Sequence, residues 1–247
     1  MTALSAGCAP RRRRSRRPVR GVLFDVDDTL VDHSGAQRTA IVSYLASLGI
    51  DNDDAAVSRW RQAEERHFSR HLSGELTFEG QRRARVREML AAHGGADLDD
   101  ATADEWFAGY TTHNEAAWTT YDDVGAALAM VASREHAVGI VTNVDANHQR
   151  RKLEIVGLGG CFDVVVGLDT LGFGKPDPRV FRHACELLGT QPCETYFVGD
   201  RLEHDAVGAR DAGLRAVWLD RSGTAGADVP DGITRVASLA ELEAVLA

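Results

Sequence analysis

Five short apolar runs, each closing on a small or polar residue, restrict what this chain can fold into. Val22-Leu23-Phe24 closes on Asp25, residues 137–141 on Thr142, residues 164–166 on Gly167, residues 196–198 on Gly199-Asp200, and residues 216–219 on Asp220. Runs this short, apolar on both faces and rich in β-branched residues, suit strands buried on both sides of a parallel sheet. Helical patterns lie between them at 123–133, 178–188 and 205–213, the last closing on Gly213. The alternation predicts an α/β fold: a Rossmann-like open parallel sheet with helices on both faces, wound by right-handed crossovers.

Residues 33–118 break that rhythm. They show no strong strand pattern and read as helices over 34–48, 57–72, 79–93 and 103–118. Placed after the first run, they predict an inserted all-helical cap domain over the sheet's carboxyl edge, leaving 19–32 and 119–247 as the α/β core. Trp60, Trp106 and Trp118 read as packing within the cap, and His67 and His71 as residues of a solvated face. Residues 1–18 hold six arginines and no acid and read as a disordered basic tail. The remainder carries 22 basic against 37 acidic residues, so no nucleic-acid partner is expected. No stretch approaches about 18 consecutive apolar residues, and residues 19–24 run into acids too soon to act as an export signal, so no membrane partner or leader is expected either. Four cysteines without CxxC spacing fit a reducing cytoplasm.

In open α/β sheets ligands bind outside the carboxyl ends of the strands, where this pattern gathers Asp25, Asp27, Thr142, Asn143, Asp200 and Asp205, with Lys175 in a loop before a helix. Residues two apart in extended backbone project to one side, so Asp25 and Asp27 can converge. Carboxylates crowded together repel unless a cation sits among them, and hard oxygen donors favour magnesium (Mg2+), which bridges to phosphate. With Lys175 neutralising phosphoryl oxygens, one carboxylate can attack phosphorus. Asp27 can protonate the leaving oxygen and later deprotonate water. Thr142 and Asn143 can donate to the phosphoryl oxygens. Lys152 and Lys175 are the only lysines, against 26 arginines, so Lys175 marks a place that uses a point charge rather than a planar fork. Singly, each feature is commonplace: residues 25–29 fit a calcium-type loop or a helix cap, Thr142 or Asp205 an N-cap, Gly199-Asp200 a turn. Their ordered occurrence at strand ends points to a site.

Phe24-Asp25-Val26-Asp27-Asp28-Thr29-Leu30, Val141-Thr142-Asn143, Lys175-Pro176-Asp177-Pro178 and Val198-Gly199-Asp200 through Asp205 resemble the four ordered motifs of the haloacid dehalogenase-like (HAD) hydrolase superfamily, over roughly 20–220. The resemblance implies the phosphatase branch with a helical (C1-type) cap. It implies Asp25 as nucleophile and metal ligand, and Asp27 as acid–base with its backbone carbonyl on magnesium. Asp200 is then a metal ligand supported by Asp205, and Thr142 and Lys175 hold the phosphate. Relatives that dehalogenate carbon lack the second aspartate, because halide leaves unprotonated. The phosphonate-cleaving branch uses a cap lysine, and 33–118 contains none. One departure is Val144, where many relatives carry glycine. The expected activity is Mg-dependent hydrolysis of a small phosphorylated metabolite by a cytoplasmic monomer or homodimer. A phosphomutase and a non-catalytic binding module are the alternatives. Arg70, His71, Arg82 and Arg83, flanking a turn at Gly74, are expected to point into the site and discriminate substrates.

Overall fold

The computed structural model describes residues 19–50, 53–95, 98–223 and 228–246; the arginine-rich segment read as a disordered tail lies outside them. Six parallel strands form one sheet in the order β3-β2-β1-β4-β5-β6. They are β1 (Gly21–Phe24), β2 (Ala137–Val141), β3 (Val164–Val166), β4 (Thr195–Gly199), β5 (Arg215–Leu219) and β6 (Ile233–Val236). Phe24 pairs with Ile140 on one side and Val198 on the other, so β1 is central and all its residues are buried. Strand order reverses between β1 and β4, which opens a crevice beyond their carboxyl ends.

Alternate residues serve the two faces. Val22, Phe24, Ile140, Val198 and Val217 pack with α5 (Val124–Ser133) and with Leu153 of α6 (Ala146–Ile155). Leu23, Val141, Phe197 and Trp218 pack with α8 (Pro178–Leu188) and α9 (Gly208–Ala212). One-turn helices α7 (Leu168–Leu171) and α10 (Leu242–Val245) complete the layers.

Two elements escape the sequence pattern. β6 is an edge strand with Thr234 and Arg235 exposed, so its apolar run is broken. α6 is polar along most of its length, and its buried residues Gln149 and Lys152 are themselves polar. The helix expected over 205–213 opens instead as a wider π-type turn, Leu202–Val207, before α9.

Between β1 and β2 stand α1 (His33–Ser47), α2 (Asp54–Leu72), α3 (Phe78–Ala91) and α4 (Asp100–Ala116). α2 and α4 begin three residues before their apolar periodicity, because Asp53 and Asp99 accept from Ala56 N and Thr102 N as N-caps. Their shared core has Trp60 at its centre, fully buried, with ring centroids of Tyr110, Trp106 and Phe107 at 4.6, 5.5 and 6.1 Å. Trp118 packs elsewhere: it belongs to the sheet's cluster, not to the cap's. His67 is buried and bonded to Glu88 at 2.9 Å, not solvated, because α2 turns that face onto α3.

Trp60→Ala removes the centrepiece of the cap core and is expected to cost about 3–5 kcal/mol in chemical denaturation. A loss under about 1 kcal/mol would show that the aromatic cluster does not hold the cap together.

Candidate active site

Asp25 is the first residue past β1, its N–H donating to Val198 O of β4 at 2.9 Å. Lys175 Nζ reaches it from the loop before α8, 2.5 Å from Asp25 Oδ1 and 2.6 Å from Asp205 Oδ1. Asn143 sets that lysine in place: its Nδ2 donates to Lys175 O at 2.8 Å, and its Oδ1 accepts from Lys175 N at 2.6 Å. Both ends of the Asn143 amide thus hold the Lys175 backbone, and its second Nδ2 hydrogen has no acceptor among these contacts. Asp205 folds back against β4, its Oδ2 accepting from Arg201 N at 2.9 Å. A Cβ on residue 199 would lie 2.5 Å from Asp205 Cγ, so the approach requires Gly199.

A second pair stands beside the first. Lys152 Nζ lies 2.5 Å from Asp27 Oδ1, and Gln149 Nε2 donates to Asp27 Oδ2 at 3.1 Å. Gln149 also donates to Thr142 Oγ1 at 3.1 Å, leaving the buried threonine hydroxyl free to donate its own proton. Lys152 is only 2% exposed and lies over the Trp118 ring, 5.0 Å from its centroid. On the cap side His33 Nδ1 is 3.8 Å from Asp27 Oδ1, and its Nε2 is 3.8 Å from Glu64 Oε2. Gln37 donates to Glu64, whose Oε1 meets Arg85 Nη1 at 2.9 Å. Sequence reasoning missed Lys152, Gln149, His33 and Glu64. The scarcity of lysine was the one signal that could have found Lys152.

The turn between Asp27 and Val31 is held by Asp28 in the left-handed region, φ 58°. Ser34 N and Oγ donate to the two Asp28 carboxylate oxygens at 2.8 and 2.7 Å, offsetting the local strain. Val144, by contrast, is not among the described non-glycine residues of positive φ, so it replaces glycine without backbone strain.

Electrostatics separate the two aspartates. Burial, then Asp205 and Asp27, raise the Asp25 carboxyl to about 7 against the pull of Lys175. Burial, Asp25 and Asp205 raise Asp200 to about 8. Burial would also raise Asp27, but Lys152 and His33 outweigh it and hold that carboxyl well below its usual range. Carboxylate oxygens of Asp25, Asp200 and Asp205 lie within 4.8 Å of one another. Three crowded carboxylates, two of them starved of counter-charge, fit a hard divalent cation. Asp205 has both oxygens engaged, whereas Asp25 Oδ2 and Asp200 Oδ1 share only the Thr29 hydroxyl, at 3.5 and 3.4 Å.

A cavity of about 590 Å³ joins these strand ends to α2, α3 and α4. Of the four cap residues expected to point into it, Arg82 alone is part of its lining. Arg70 is held outside by Glu75 at 2.6 Å, and Arg83 by Asp100 and Asp104, each at 2.6 Å. His71 Nδ1 bonds Leu76 O at 3.1 Å, which closes the turn at Gly74 away from the strand ends.

Comparison with known proteins agrees with this layout. N-acylneuraminate-9-phosphatase of Rattus norvegicus is 32% identical over 218 residues, 83% of this chain and 84% of that protein. Phosphoserine phosphatase of Thermus thermophilus is 31% identical over 223 residues, covering 81% and 88% of the two chains. The magnesium-bound HAD-hydrolase YfnB of Bacillus subtilis superposes with a TM-score of 0.80 over 93% of this chain and 99% of its own, at 22% identity. With the family's sequence profile matching residues 19–213, the chain belongs to the haloacid dehalogenase-like hydrolases.

Proposed function

We propose that this hydrolase is a Mg-dependent phosphatase of small phosphorylated metabolites, working through an aspartyl-phosphate on Asp25. The reading is carried by one observation: the aspartates two residues apart at the end of β1 are each paired with a different buried lysine. Asp25 and Asp200, with the Asp27 backbone carbonyl, would hold the cation, and Asp205 would hold Lys175 from behind. When bound, magnesium neutralises phosphoryl charge and the carboxylates around it.

The chain's own groups supply the remaining steps. Lys175 and the Thr142 hydroxyl draw phosphoryl oxygens toward Asp25, whose carboxylate oxygen bonds to phosphorus as the ester oxygen leaves. Asp27 gives that leaving oxygen a proton. Lys152, 2.5 Å away, holds Asp27 ionised at rest, so the proton delivered is drawn from the Lys152–Asp27 pair. In the second half Asp27 takes a proton from water, whose oxygen displaces Asp25 from phosphorus and restores the pair. An ester needs that proton and a departing halide does not, which favours phosphatase over dehalogenase chemistry. A phosphomutase would return the phosphoryl group to an organic hydroxyl, and release of inorganic phosphate separates the two. A non-catalytic binding module would have no use for two such lysine-held aspartates. The thiols of Cys161, Cys185 and Cys193 are unpaired, which suits a reducing cytoplasm. No described helix is long and apolar enough to cross a membrane.

Asp25→Asn is expected to abolish phosphate release from a panel of phosphate esters while leaving the melting temperature intact, and excess chelator to silence the wild type. Turnover surviving either treatment would sink the mechanism.

Lys152→Met should lower kcat for alkyl phosphates about 10²-fold, the usual worth of a placed acid, and for p-nitrophenyl phosphate far less, because nitrophenolate leaves without a proton. Equal losses on both esters would remove Asp27 and Lys152 from proton transfer.

Stability should follow pH in a sign set by the carboxylates. Asp25 and Asp200 have raised pKa values, so the folded chain keeps protons that the unfolded chain releases above about pH 4. Metal-free protein should therefore lose melting temperature as pH rises from about 5 to about 8, and magnesium should flatten the slope. Asp27 and Glu64 act oppositely, and their contribution disappears as pH falls below about 4. A metal-independent rise in melting temperature between about pH 5 and pH 8 would contradict the carboxylate cluster.

A further inference from the structure

One stripe of α3 faces the cavity: Phe78, Gln81, Arg82 and Arg85, at helical spacings of three and four. The arginines of this stretch do not share a fate. Arg83 is matched outside by Asp100 and Asp104, and Arg85 is matched inside by Glu64. Arg82 is half-buried, and among the described residues it has no carboxylate at ion-pair distance and no hydrogen-bond acceptor. What it does have is aromatic: its guanidinium carbon lies 4.1 Å from the Phe78 centroid and 4.9 Å from that of Phe107. Burial and the charge of Arg85 hold its pKa down, and the more distant charges of Glu79 and Asp104 offset them only in part.

Gln81 stands beside it, 2% exposed, and its buried amide oxygen is an unpartnered acceptor that suits a hydroxyl or ammonium donor rather than a carboxylate. Both side chains line the cavity. The charge of Arg82 reaches His148 at the start of α6, where it adds to burial and to Lys152 in lowering that imidazole's pKa. Rings against a guanidinium fix its plane and leave its N–H edges available, and those edges match two coplanar oxygens.

We propose that Arg82 forms a carboxylate-recognising subsite, so that this enzyme's substrates are phosphate monoesters bearing a carboxylate at the end remote from the ester oxygen. The proposal rests on the phosphatase reading above and narrows it. One guanidinium balances one carboxylate, whereas a second phosphate group would remain half neutralised.

The test compares phosphoglycolate and phosphoglycerate with ethyl phosphate, glycerol phosphate and propanediol bisphosphate. Wild-type enzyme should favour the carboxylated esters in kcat/KM by about 10–100-fold, the range expected for hydrogen bonds to a charged group. Arg82→Ala should erase that preference, and Arg82→Lys, which keeps the charge but loses the fork, should restore only part of it. An unchanged preference in Arg82→Ala, or a bisphosphate outrunning both carboxylates, would overturn the subsite. Calorimetry on Asp25→Asn repeats the comparison without turnover: it should bind phosphoglycolate more tightly than ethyl phosphate, and adding Arg82→Ala should equalise them. Equal affinities before that second change would also overturn it. Retained selective binding with no hydrolysis of any ester would instead count against the phosphatase reading alone.

Discussion

One buried ammonium held between two buried carboxylates organises the carboxyl edge of this sheet. Lys175 bridges Asp25 at 2.5 Å and Asp205 at 2.6 Å, and all three side chains are withdrawn from water. Taking such ions out of water costs several kcal/mol each, and only close pairing with further hydrogen bonds offsets it. The surrounding structure answers that demand. Asn143 grips the lysine's backbone, the π-type turn after β4 swings Asp205 inward, and Gly199 leaves room for its carboxylate. Even so, burial and the excess of acids over the one cation together raise the proton affinity of Asp25 and Asp200.

The neighbouring aspartate lives in the opposite regime. From Lys152 through Asp27, His33 and Glu64 to Arg85, charges alternate in sign along a line of contacts. Its members come from α6, the loop after β1, α1, α2 and α3, so the core and the helical insertion hold Asp27 jointly. Burial would lower the pKa of His33 and raise that of Glu64, disfavouring the charge of each. Instead Asp27 raises the imidazole, and Arg85 with His33 brings Glu64 down to about 2. Any movement of the insertion relative to the sheet therefore changes what surrounds Asp27, while Lys175 and Asp25, both of the core, keep each other.

Much of this was legible in the amino-acid sequence because burial on both faces leaves a plain mark. Central strands must be apolar throughout, and the polar residue ending each one is conspicuous. The mark fades at the edge: β6 pairs with β5 alone and carries Thr234 and Arg235 toward solvent. It fades again in α6, where Gln149 and Lys152 occupy inward positions that a hydrophobic pattern reserves for aliphatic residues. Spacing along the chain also could not show that the Asn143 amide grips the Lys175 backbone. Arg70 and Arg83 looked equivalent to Arg82 for a similar reason. Which arginine enters the cavity depends on how α2 and α3 are turned and on partners elsewhere, Glu75 for Arg70 and the acids of α4 for Arg83.

The lysine inventory has a practical corollary. A chain of 247 residues with 26 arginines and two lysines, both almost wholly buried, presents essentially no side-chain amine at its surface. Reagents and modifying enzymes that seek ε-amino groups have nothing to act on while the fold is closed, apart from the amino terminus of the chain. Amine acylation of the intact protein thus becomes a probe of local opening: any label on Lys152 or Lys175 reports exposure of one of the two aspartate partnerships, and peptide mapping tells which.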